Sequence, residues 1–244
     1  MPRLLSLLAC VVSASACGST PPPPANVPAL PATPATALDA LNALEQRLAT
    51  AHSFRFHARL ATSGRIESHF EGTVVAGADR RMRFALQGAF GGKDADALFT
   101  CDGTRMRGGH RGQQFDLDAA PGLREGIAVG FVRMGLTHDV GRLAAGKTPD
   151  YIDGSVRSHL EIVGPAHMAG EPVRGAATEQ WTWLLYVDHQ KAADETLWLD
   201  ARSRLPLKRR VVVHFPEGDM DVGEEYDDFV VDGPVEEGSF RIEP

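Results

Sequence analysis

The chain has 244 residues, 43% of them hydrophobic, with 32 acidic against 25 Lys and Arg side chains and a formal net charge of −7. That balance argues against a nucleic-acid partner, which needs a basic surface. Three cysteines exclude a disulfide framework, and the length allows one large or two small domains.

The first sixteen residues read as an export signal. Arg3 supplies a positive charge, and LLSLLACVVSA (residues 4–14) supplies an apolar segment. The segment is shorter than the roughly 20 apolar residues of a permanent membrane helix. It ends in ASACGS, with small residues at Ala14, Ser15 and Ala16 ahead of Cys17. This resembles the lipobox of bacterial lipoproteins. The resemblance implies removal of residues 1–16, a lipid on the Cys17 thiol, and membrane attachment through that N-terminal acyl anchor. Gly18 stands in place of the Asp that resembles an inner-membrane retention signal. The expected location is therefore the bacterial cell envelope, as an outer-membrane lipoprotein facing the periplasm. A plain secretory signal cut after Ala16 is the alternative. Cys10 leaves with the signal, and Cys101 reads as a buried structural thiol in the apolar run LFTC. Residues 17–36 then form a Pro-rich, uncharged tether, spanning up to roughly 50–60 Å as polyproline II. A domain over 37–244 follows.

The domain begins with a helix. Leu38, Leu41, Leu44 and Leu48 make one apolar stripe, and Thr36 is placed to cap it. The period then switches to two: Phe54, Phe56, Ala58 and Leu60 alternate with Arg55, His57 and Arg59. Further strands are expected at 66–75, 81–86, 97–101, 105–108 and 113–117, with Asp102-Gly103 as a hairpin turn. Two helical stretches come next, 122–136 and 139–146, with Ile127, Phe131 and Met134 sharing one side of the first. Strands resume at 159–163, 179–187, 195–200, 205–215 and 221–231. The basic run RSRLPLKRR (202–210) reads as the solvated face of a strand. The acidic run GDMDVGEEYDD (218–228) reads as a charged edge strand that deters aggregation. Long alternating strands with grouped helices predict a curved antiparallel sheet.

Motifs for catalysis and cofactors fail on context. GRLAAGKT (141–148) fits the phosphate-binding pattern G-x-x-x-x-G-K-[ST], but it follows a helical stripe and Pro149 blocks the helix that should receive the phosphates. A helix end explains it better, so no nucleotide partner is expected. The nine histidines show no zinc-ligand spacing, and no G-x-S-x-G elbow is present. In GDMDVGEEYDD, Gly223 is out of register for a calcium loop. No enzymatic activity and no cofactor is expected.

What remains is an excess of bulky apolar residues on a curved sheet. Phe54, Phe56, Phe70, Met82, Phe84, Ile127, Phe131, Met134, Trp181 and Trp183 either fill a core or line a cavity for an apolar ligand, and the pattern alone leaves both open. Several phrases resemble the LolA/LolB superfamily of periplasmic lipoprotein carriers. They are ADRRMRFAL (78–86), FTCDGTRMRG (99–108), ETLWLDARSRLPLKRR (195–210) and the tail EEYDDFVVDGPVEEGSFRI (224–242). The resemblance implies a mostly β fold with α-helices. Its core is an incomplete, half-open antiparallel β-barrel of about 11 strands, with an N-terminal helix and mid-chain lid helices. It also implies that acyl chains of lipids or lipoproteins enter the concave side, with the ten residues above as candidates. The expected role is lipid or lipoprotein trafficking or reception by a monomer. The alternative is an envelope stress-sensing or assembly protein that uses the same fold without transport.

Overall fold

The computed structural model describes residues 36–110, 113–150, 152 and 155–242, which fall in one compact unit. The signal segment, Cys17 and residues 18–35 of the tether lie outside the described residues.

Eleven strands form one antiparallel sheet. The first six run β1 (Phe54–Gly64), β2 (Ser68–Ala76), β3 (Met82–Phe90), β4 (Lys93–Cys101), β5 (Arg105–His110) and β6 (Gln113–Asp118). The other five are β7 (Leu160–Ala169), β8 (Thr178–Val187), β9 (Gln190–Asp200), β10 (Pro206–Val213) and β11 (Met220–Val231). Within β1–β6 and within β7–β11 each strand pairs with its neighbour in sequence, and β1 pairs with β11, so two meanders are spliced at the centre. The free edges are β6 and β7, which do not pair with each other. The sheet is therefore open, as the half-barrel expectation required.

Period two decides which face is buried. Phe54, Phe56, Ala58 and Leu60 of β1 are buried, as are Trp181, Trp183 and Leu185 of β8, while Arg55 and Arg59 are exposed. Burying one face of the strands between the two edges makes a trough that must be filled. The helices fill it: α1 (Ala37–Thr50), α2 (Leu123–Met134), α3 (Thr137–Ala144) and the short α4 (Val156–His159). Thr36 caps α1, its Oγ1 accepting from the Asp39 N–H at 3.1 Å. Of the predicted stripe, Leu41, Leu44 and Leu48 are buried, but Leu38 at the frayed start is 39% exposed. The connection from edge β6 to edge β7 carries α2, α3 and α4. Nearly every residue of α2 is buried, including Ile127 and Phe131, because it packs against α1 as well as the sheet.

Two local expectations are overturned. Residues 218–228 do not form an edge: β11 is central, held between β1 and β10. Its Glu224 and Tyr226 point inward and are fully buried. The basic run is not wholly solvated either. Arg210 is exposed, but Arg209 is 1% exposed and faces the trough. Both errors have one cause. A charged side chain reads as surface unless its partners are known, and here the partners sit on separate elements.

Candidate functional site

The trough is braced by three buried arginines, each bonded to backbone carbonyls around a helix. Arg124 of α2 donates to the carbonyls of Leu48 (3.1 Å) and Ala51 (2.7 Å), which close α1, and to that of Gly77. Arg133 donates to Glu45 of α1 at 2.7 Å and to the Leu160 carbonyl at 2.7 Å. Arg209 donates to the carbonyls of Phe131 (2.9 Å) and Val132 (2.7 Å) at the end of α2. The Phe131 carbonyl also accepts from the Gly135 N–H at 3.1 Å, and a cation there suits the negative end of the helix dipole.

Arg209 belongs to a charged row. Leu60, Glu224, Arg209, Leu197 and Trp181 are successive cross-strand partners on β1, β11, β10, β9 and β8. Glu195 is 2.6 Å from the Arg209 guanidinium, and Glu224 accepts from the N–H groups of Leu136 (2.9 Å) and Thr137 (2.7 Å) as well as from the Tyr226 hydroxyl. The cluster thus grips both the end of α2 and the start of α3. Gly135 forms the joint, with φ +86°. A Cβ there would lie 2.6 and 2.7 Å from the Glu224 oxygens. Burial pushes Glu195 up to about 7, against the pull of Arg209.

Beside this row lies an apolar groove of about 380 Å³. Its floor is the next row of the sheet, where Ser68, Thr62, Val222 and Val211 pair across β2, β1, β11 and β10. Phe70, Phe90, Val213, Phe215 and Met220 build the sides. One face of α3 forms the helical wall: Thr137, Gly141 and Ala145 recur every four residues, with His138 and Arg142 beside them. The small side chains at 141 and 145 keep the groove open. Burial grades along its depth, from Thr62, Phe70, Val211 and Val222 (buried) to His138, Ala145 and Lys147 (exposed).

The GRLAAGKT string therefore contributes to a site of another kind. Gly141–Ala144 is the last turn of α3, and Gly146, at φ +70°, ends it with its N–H on the Leu143 carbonyl. That is the helix end expected from Pro149. Arg142 then pairs with Asp150 at 2.9 Å, and His138 Nε2 lies 2.7 Å from the same carboxylate. The bond from His138 and the charge of Arg142 hold Asp150 below the usual carboxylate range.

Of the ten cavity candidates, Phe70 and Met134 line this groove. The others are placed in the packed core. Phe54, Phe56 and Phe131 form an aromatic cluster with Tyr226 and Phe229; Phe56 to Phe131 is 5.2 Å between centroids. Phe84 packs on Phe99 at 5.7 Å, and Met82 and Ile127 are buried within the same core. Trp183 lies over the Arg209 guanidinium at 5.5 Å, and Trp181 faces His167 at 4.5 Å. Missed by sequence reasoning were Ile66, Phe90, Val211, Val213, Phe215, Met220 and Val222. A signal existed, since Val211, Val213 and Phe215 alternate at period two. Nothing in the sequence says which strand ends meet α3.

No family model matches the chain, and no curated protein matches it. Solved structures are similar in architecture. The complex of Pseudomonas aeruginosa MucA and MucB is 16% identical with a TM-score of 0.43, over 85% of this chain and 61% of that one. MucB alone is 17% identical with a TM-score of 0.41, over 86% and 65%. A LolA superfamily protein from Nitrosomonas europaea is 11% identical with a TM-score of 0.32, over 85% and 98%. The likeness is one of fold alone. This chain spans less than two thirds of the MucB chains it matches, and at these scores no residue role carries across.

Proposed function

We propose that this protein is an envelope lipoprotein that binds an acyl chain of a lipid or lipoprotein in the groove between α3 and the floor of the half-barrel. One observation carries the reading: the groove is lined mainly by apolar side chains, the hydroxyls of Thr62 and Ser68 on its floor are bonded to each other, and Gly141 and Ala145 leave it unfilled. The groove leaves apolar surface open to water, and a contiguous apolar patch of this kind marks a ligand-binding or interaction site. The proposed role is reception or carriage of acyl chains, with no chemistry performed on them. Anchoring through Cys17 would hold the domain near its ligand.

The test replaces Gly141 by Phe. The Gly141 Cβ position has 3.6 Å to Phe90, so the ring has room only in the groove. Removing a helical glycine favours α3 by up to about 1 kcal/mol, so the variant should fold. Long-chain amphiphiles should raise the melting temperature of the native protein and not that of Gly141→Phe. Equal responses would refute the site. A protein that used this fold to engage a partner without binding lipid would show no response in either.

A further inference from the structure

We propose that the occupant of the groove is a single long-chain fatty acid, with its chain on the Val211–Val222 floor and its carboxylate at the mouth against Lys147 and Arg142. This rests on the acyl-chain reading above and narrows it. Size is the first argument. At roughly 30 Å³ for each water-sized group, 380 Å³ holds about a dozen methylene-sized groups. That is one chain and not two, so a diacyl or triacyl ligand does not fit as a whole.

Charge is the second. The chain carries net charge −7, yet among the described residues no acidic side chain lines the groove, while His138, Arg142 and Lys147 do. Part of that positive charge is balanced by Asp150, and the neighbouring carboxylates are paired as well. Asp150 is paired with His138 and Arg142, Glu217 with Arg65 at 2.7 Å, and Asp219 with His214 at 3.0 Å. The Lys147 ammonium is exposed beside Ala145, and it faces Asp150 only through a weaker charge attraction, behind that of His138 and Arg142. Arg142 spends one donor on the Thr148 carbonyl and one on Asp150, leaving others of its five for a second anion. The Arg65 guanidinium lies 5.1 Å from the centroid of the Phe215 ring, with its charge balanced by Glu217.

Depth is the third. Burial falls from the Thr62–Val222–Val211 row to Lys147, so the apolar end is closed and the cationic end is open. A ligand with an anionic head and one apolar tail matches that polarity.

The experiment uses the mature protein and displacement of an uncharged fluorescent probe, N-phenyl-1-naphthylamine. The competitors are palmitic acid, methyl palmitate, a palmitoyl lysophosphatidylglycerol and a dipalmitoyl phosphatidylglycerol, with Gly141→Phe as the blocked control. Palmitate should bind about two- to fivefold tighter than its methyl ester at low salt. The ratio should shrink at high salt and collapse towards one in Lys147→Glu. Equal affinity for acid and ester, or a ratio unchanged in Lys147→Glu, overturns the fatty-acid assignment and leaves acyl-chain binding standing. Tighter binding of the lysophospholipid or of the two-chain lipid overturns it as well. Failure of every amphiphile to displace the probe, with Gly141→Phe behaving as the native protein, removes both readings.

Discussion

Replacing Glu195 by Gln should remove a specific part of the pH dependence of stability. Glu195 is 2% exposed, its Oε2 meets Arg209, and its Oε1 has no hydrogen-bond partner among the described residues. Burial raises its pKa from 4.5 to about 7. The folded state therefore holds this proton more tightly than the unfolded chain. Its contribution to stability is present in full below pH 4.5, declines as pH rises, and is gone above about 7. A shift of that size corresponds to on the order of 3 kcal/mol, and a domain of this length loses roughly 2–4 °C per kcal/mol. Asp139, raised to about 6 by burial, declines in an overlapping window but is untouched by the substitution. The assay is a series of thermal melts from pH 4.5 to 8 on both proteins. The melting temperature of the native protein relative to Glu195→Gln should fall by roughly 6–12 °C across the series. Parallel curves would show that Glu195 has no raised pKa and that the account of the buried cluster is wrong.

Gly135→Ala should destabilise the domain by at least about 2 kcal/mol, from a positive φ and a clash with Glu224; urea titration reads it. Phe131→Asp puts a charge into the Phe56–Tyr226 cluster and should abolish cooperative unfolding, whereas a soluble, cooperative variant would show that Phe131 borders open space. Cys17→Ser should abolish labelling by a palmitate analogue in cells; equal labelling of both proteins would place the lipid elsewhere or nowhere.

The fold was largely legible because it rests on local periodicity. The switch from the Leu41–Leu44–Leu48 stripe to the Phe54–Phe56–Ala58 alternation marks the first helix and strand directly. Eleven expected strands correspond to eleven observed ones, although β3 and β4 run on to Phe90 and Lys93 around a Gly-Gly turn. The site was much less legible. Arg124, Arg133 and Arg209 are buried because backbone carbonyls, and for the last two the carboxylates of Glu45 and Glu195, hold them from other elements that meet the arginines only after folding. The same holds for Glu224, which looked like part of a solvated edge. The groove depends on which strand ends face α3, and alternation along one strand carries no such information. Bulk also misled: Phe54, Phe56 and Phe131 are large because they fill the core, while Gly141 and Ala145 shape the groove by being small.

The most direct test of acyl-chain binding is a crystal structure with a long-chain fatty acid brominated at its terminal carbon, read by anomalous scattering. The bromine should appear at the closed end of the groove, between Phe70, Val211 and Val222, with the carboxylate towards Lys147. A bromine located outside the groove, on the convex face or along the free edges β6 and β7, would contradict the account.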